Sequence, residues 1–74
     1  MRDSNATPGT VTVNGNSHPY APGMTVASLL TDLLGTPGTV VVELNGSIIP
    51  RDAFATTPLA VGDSLEVVHF VGGG

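Results

Sequence analysis

Two Asn-Gly dipeptides constrain what this chain can fold into more than any other feature. Asn14-Gly15 follows Thr10-Val11-Thr12-Val13, and Asn45-Gly46 follows Val40-Val41-Val42-Glu43-Leu44. Asn-Gly between β-type runs is the strongest short hairpin signal, because both residues accept the positive φ that a two-residue turn demands. Thr10 to Val13 alternates with period two, as a half-buried strand does. The first return strand is expected over Ser17 to Tyr20, and Pro19 inside it confines that strand to a sheet edge, since proline donates nothing to a ladder. The second return is Ser47-Ile48-Ile49, ended by Pro50. The near-continuous apolar run Val40 to Leu44 points to a central position in the sheet.

Between the hairpins lies one helix. Val26, Leu29, Leu30, Leu33 and Leu34 follow the i, i+3, i+4, i+7, i+8 rule and form one apolar face. Thr25 is its expected cap, its hydroxyl accepting a first-turn N–H, and Met24 and Leu29 are placed to form a hydrophobic staple. Gly35 stops the helix and Pro37 forbids its resumption. Asp32 is the only charge on it, so packing rather than propensity must hold it.

After the second hairpin, Arg51-Asp52-Ala53-Phe54 reads as one helical turn with Phe54 inward, residues 56–60 as loop, and Val61-Gly62-Asp63-Ser64 as a turn into a last strand. The order β-β-α-β-β-β is an α+β layout with one sheet face covered by the helix. A helix crossing over from the first hairpin places the first and last strands side by side in the middle. Residues 1–9 are polar, turn-rich and without periodicity, a flexible extension; 10–71 form the folded domain; 72–74 form a tail. A single domain of 74 residues buries only about 60% of its unfolded surface, and its core supplies at most about 3–5 kcal/mol.

Composition excludes several function classes. Hydrophobic content is 41% and charged content 11%, with no cysteine, so the chain folds without disulfides or a Cys metal site. Net charge is −4 with two basic residues, Arg2 and Arg51; phosphate contacts need clustered Lys and Arg, so neither nucleic acid nor an anionic membrane surface is an expected partner. No apolar run approaches the roughly 18 residues of a bilayer span, and no apolar h-region marks a signal peptide. A soluble, cytoplasmic protein is expected.

Candidates for catalysis are weak. His18 and His69 show no metal-ligand spacing and are better read as solvated or edge-packed than as general bases. Asp52 and Asp63 sit in turn-forming contexts, where Asp serves local structure. No serine has a nucleophile-elbow context, and no GxxxxGK[ST] or GxGxxG phosphate loop exists. Arg51, the one basic residue of the folded part, serves either a surface ion pair or the docking of a partner. The sequence therefore points away from an enzyme.

What remains is Leu65-Glu66-Val67-Val68-His69-Phe70-Val71-Gly72-Gly73-Gly74. The β-branched run reads as a strand. With Leu65 and Val67 toward the helix, Val68 and Phe70 face solvent and form a protein interface, unless a bulge or covering loop buries one of them. Glycine without a Cβ packs into no core, yet it threads a narrow channel. The group so delivered is the Gly74 carboxylate; a chain-terminal carboxyl titrates at roughly 3.5 and so is ionised at neutral pH. The plain alternative is a frayed end.

Three strings carry a family resemblance: TVASLL (Thr25 to Leu30), VVVELNGSIIPR (Val40 to Arg51) and VGDSLEVVHFVGGG (Val61 to Gly74). Together they resemble the ubiquitin-like superfamily and, more narrowly, the ThiS sulfur carriers of thiazole formation in thiamine biosynthesis. The resemblance covers roughly residues 10–74, and the Val-His-Phe-Val approach to the glycines is its specific part. It implies a ubiquitin-like β-grasp, a mixed sheet packed on one helix. It implies a carrier that binds no cofactor itself and is acted on by others. A ThiF-like adenylating enzyme would use Mg-ATP to join the Gly74 carboxylate to AMP. Sulfur from a cysteine desulfurase relay would replace AMP to leave a thiocarboxylate, and a ThiG-like thiazole synthase would accept it. Gly72 and Gly73 with Val68, Phe70 and Val71 would form the partner-binding tail and surface. The MoaD-like small subunit of molybdopterin synthase is the alternative carrier; its tail usually has prolines where Phe70-Val71 stand here. A ubiquitin-like modifier would form isopeptide bonds through the same Gly74, and a plain interaction domain would leave the tail idle.

Overall fold

The computed structural model describes residues 9–35 and 39–69. Strand β1 (Thr10–Val13) and β2 (Asn16–Pro19) precede helix α1 (Val26–Leu34); β3 (Val40–Leu44), β4 (Ser47–Ile49), a short 3-10 helix (Arg51–Thr56) and β5 (Ser64–His69) follow. The five strands form one sheet in the order β2-β1-β5-β3-β4. As the crossover predicts, β5 lies between the hairpins, parallel to β1 and antiparallel to β3.

Both hairpins turn on two residues with positive φ: Asn14 at 50° and Gly15 at 84°, Asn45 at 51° and Gly46 at 90°. Because the first turn uses only Asn14 and Gly15, Asn16 already pairs with Val13, and β2 begins one residue earlier than the sequence suggests. Pro19 lies on that strand at the sheet edge, where a missing N–H is tolerated.

Helix α1 is capped at Thr25, whose hydroxyl accepts from the Ser28 N–H at 3.1 Å. Ser28 reciprocates, its Oγ accepting from the Thr25 N–H at 2.9 Å. This is a capping box with serine where Glu or Gln is usual. Gly35 closes the helix with φ 78°, and its N–H reaches the Thr31 carbonyl at 2.8 Å.

The core lies between α1 and one face of the sheet. Val11 and Val13 from β1, Val40 and Val42 from β3 and Leu65 from β5 meet Val26, Leu29 and Leu30 from α1. Met24, Phe54 and Leu59 join the same cluster. Two residues depart from expectation. Leu33 is 39% exposed rather than buried with its helical neighbours, because β1 turns away at Asn14 and leaves the last helical turn overhanging a groove. Leu59, in the stretch expected as loop, is buried. It is fixed there because its N–H bonds the Met24 carbonyl at 2.9 Å, while the Val26 N–H bonds the Thr57 carbonyl at 3.1 Å. Residues 57–59 thus run strand-like beside the helix entrance, with Thr25 and Pro58 forming a bridge.

Candidate functional site

Strand β5 leads toward Gly74, so its surroundings define what the tail is presented by. Alternation along a strand sends successive side chains to opposite faces. Leu65 is fully buried and Val67 half-buried against the helix side, while Val68 is 52% exposed on the open face, as the sequence predicts. Phe70, Val71, Gly72, Gly73 and Gly74 lie outside the described residues.

The register places further side chains around Val68. Val41 of β3 is directly opposite it and 36% exposed; Ile48 of β4, opposite Glu43, is 65% exposed on the same face. Val41 and Ile48 escape the sequence reading because they join Val68 only through the register of three strands. Glu43 and Glu66 also pair directly across β3 and β5 on this open face, a like-charge placement that disfavours pairing. The surface is thus an apolar patch of Val41, Ile48 and Val68 beside two carboxylates.

On the helix side, a groove of about 300 Å³ runs between Val13, Asn14, Leu33, Leu34, Val67 and His69, and reaches Asn16, Ser17 and His18. Its two histidines do not form a pair. His18 is level with Val11, and His69 lies beyond Leu65, which is level with Val13; six residues of strand separate them, about 20 Å at roughly 3.3 Å per residue. Among the described residues no group of three or more His, Cys, Asp or Glu side chains is arranged to hold a metal ion. Arg51 and Asp52 are exposed at the start of the 3-10 helix, which follows the edge strand β4. Asp63 keeps the turn role expected of it: its carboxylate accepts from the Ala60 N–H at 2.8 Å.

Two contacts on β5 have no counterpart in the sequence reading. The Asn14 carboxamide bonds both backbone groups of Val67, its Oδ1 accepting from the N–H at 2.8 Å and its Nδ2 donating to the carbonyl at 3.1 Å. The Asn45 carboxamide accepts from the Ser64 N–H at 2.9 Å and donates to the Asp63 carboxylate at 3.1 Å. Asn-Gly signals a turn, and nothing in the dipeptide tells where its side chain ends. Among the described residues no helix is long and apolar enough to cross a membrane.

Comparison with known proteins places this arrangement. The ThiS family model matches residues 11–74, including the glycine tail. The crystal structure of the thiamine biosynthesis protein ThiS from Geobacter metallireducens is 38% identical, with a TM-score of 0.68 over 88% of this chain and 99% of that one. A solution structure of a thiamine biosynthesis protein from the same organism is 37% identical, with a TM-score of 0.69 over 88% of this chain and 87% of that one. The shared fold is the ubiquitin-like β-grasp. Two proteins named thiazole synthase, from Paramagnetospirillum magneticum and Magnetococcus marinus, are each 39% identical over 62 residues, which is 84% of this chain and 19% of theirs. The chain therefore spans about a fifth of the length of these curated relatives.

Proposed function

The chain belongs to the ThiS family, and from that premise we propose that it is a sulfur carrier for thiazole formation whose reactive group is the carboxylate of Gly74. The observation that carries this reading is the family match running through the tail to residue 74 on a domain whose described residues offer no catalytic cluster. A carboxylate is a poor electrophile. A ThiF-like adenylating enzyme with Mg-ATP would bond a Gly74 carboxylate oxygen to the α-phosphorus and release pyrophosphate. Hydrosulfide then attacks the acyl carbon, AMP departs with that oxygen, and a thiocarboxylate remains. When a cysteine desulfurase relay supplies a persulfide instead, attack gives an acyl disulfide, which a second thiol must reduce. The carrier contributes positioning alone.

A ThiG-like thiazole synthase is the proposed acceptor. Its support is that the matched stretch forms part of longer proteins bearing that name, which favours it over a molybdopterin precursor. The apolar patch of Val41, Ile48 and Val68 is the proposed docking surface, and Phe70 and Val71 are proposed to take part in the same contact. Gly72 and Gly73 would thread the enzyme's channel, where a Cβ has no room.

Mass spectrometry tests the reading. With a ThiF-like enzyme, Mg-ATP and sulfide, the protein should gain the mass of one oxygen-to-sulfur exchange, placed on Gly74 by fragmentation. Without the enzyme it should remain unchanged. One alanine added after Gly74 should block the exchange. Failure of any such enzyme to adenylate Gly74 would remove the carrier reading; sulfur passing to a pterin precursor instead of a thiazole synthase would remove only the thiazole assignment.

A further inference from the structure

Strand β1 ends before β5 does. Its last backbone pairing is Val13 with Leu65, and the Asn14 N–H still reaches the Leu65 carbonyl at 2.9 Å. The chain then turns away through Gly15, so among the described residues no strand backbone lies beside Val67 on that side. The N–H and carbonyl of Val67 point the same way as the Leu65 carbonyl, into that gap, by the alternation of a strand. Asn14 fills it. Its Oδ1 and Nδ2 take the Val67 N–H and carbonyl together, as a peptide group of a longer β1 would. Past Val67, among the described residues, the strand is paired only with β3, through Val41–Val68 and Val40–His69.

We propose that Asn14 is a positioning residue for the tail: its carboxamide replaces the missing rung at Val67 and fixes the direction in which β5 leaves the sheet toward Gly74. The inference rests on the carrier reading, because a direction matters only if the tail must enter a partner. Two bonds on one residue resist pivoting where a single bond would not. Among the described residues, Val67 is the last point at which β5 is held on both sides. The residue type fits the task closely. At φ 50° a non-glycine residue is tolerated chiefly when it is Asn or Asp. Of these, only Asn also offers the N–H donor that the Val67 carbonyl needs. Glycine would close the turn equally well, so turn formation alone does not require Asn14.

A tail held in its binding direction loses less freedom on docking, and the benefit belongs to association rather than to the chemical step. The test uses the full chain with a ThiF-like adenylating enzyme and Mg-ATP, reading pyrophosphate release. Asn14→Gly should raise KM for the carrier by about three- to tenfold, the scale expected for lost preorganisation, and leave kcat unchanged. Asn45→Gly is the control: it removes a carboxamide with as many side-chain bonds from the opposite end of β5, and should leave KM at the wild-type value. Amide hydrogen exchange at Val67 should accelerate in Asn14→Gly and not in Asn45→Gly. Asn14→Asp keeps the acceptor for the Val67 N–H and loses the donor, so its KM should fall between wild type and Asn14→Gly. It also serves if Asn14→Gly does not fold. Equal KM values for Asn14→Gly and Asn45→Gly, or a wild-type KM for Asn14→Asp, would overturn the assignment while leaving the carrier reading intact. A wild-type chain that no such enzyme adenylates overturns both.

Discussion

Asn14-Gly15 and Asn45-Gly46 close their hairpins with nearly the same backbone, yet they hold opposite ends of the same strand. In each, φ is near 50° at Asn and above 80° at Gly. In each, the Asn N–H donates to a β5 carbonyl, Leu65 at 2.9 Å for Asn14 and Ser64 at 2.8 Å for Asn45. The difference lies in direction. Because β3 runs antiparallel to β5, its turn meets the start of β5 at Ser64; because β1 runs parallel, its turn meets β5 further along, at Val67. The second turn also recruits the Asp63 carboxylate, which ties it to the preceding loop. One dipeptide thus does two jobs, and strand direction alone decides which.

Both turns depend on the strand that they share. Leu65 is fully buried between them, and Leu65→Ala should cost about 2–5 kcal/mol. Denaturant unfolding should show both hairpins losing their support together, in one transition; two separate transitions would mean that the hairpins are independent. A smaller effect sharpens the likeness. A Cβ at Gly15 or Gly46 meets no atom within 4 Å, so Gly15→Ala and Gly46→Ala should each lose about 1–2 kcal/mol from the left-handed backbone alone. Thermal melts showing clearly unequal losses would mean that the two turns are not equivalent. The smallest effect separates them. Asp63→Asn weakens the acceptor for Asn45 and for the Ala60 N–H, and should cost about 0.5–1.5 kcal/mol. Hydrogen exchange should quicken at Ala60 and Ser64 while Val67 keeps its protection; a change at Val67 would show that the two ends of β5 are coupled.

Local chemistry made the turns, the Thr25 cap and the two faces of β5 legible in the sequence. Each of these depends on residues a few positions apart. Val68 is exposed and Leu65 buried because period two leaves no other choice once the helix covers one face. Leu33 and Leu59 were not legible. Whether a helical leucine is covered depends on where a strand distant in sequence ends, and whether a loop leucine is buried depends on which backbone it runs beside. Least legible were the Asn carboxamides, since Asn14 and Val67 are 53 positions apart and a turn signal carries no address. The open face belongs to the same class: Val41 and Ile48 join Val68 only through the register of three strands.

The place of β5 also sets the order in which the domain is assembled. Each hairpin has its partner strand within a few residues, so both can pair as soon as they leave the ribosome. Neither can join the other, because the strand between them is the last of the five to be synthesised. Closing so distant a contact is the slow step of such topologies, since chain entropy is lost before the contact repays it. Two half-sheets with open inner edges must wait for one strand, and such edges invite pairing with other chains. The strand that completes the sheet is also the last described element before Gly74, so the event that finishes folding takes place next to the terminus proposed as the carrier group.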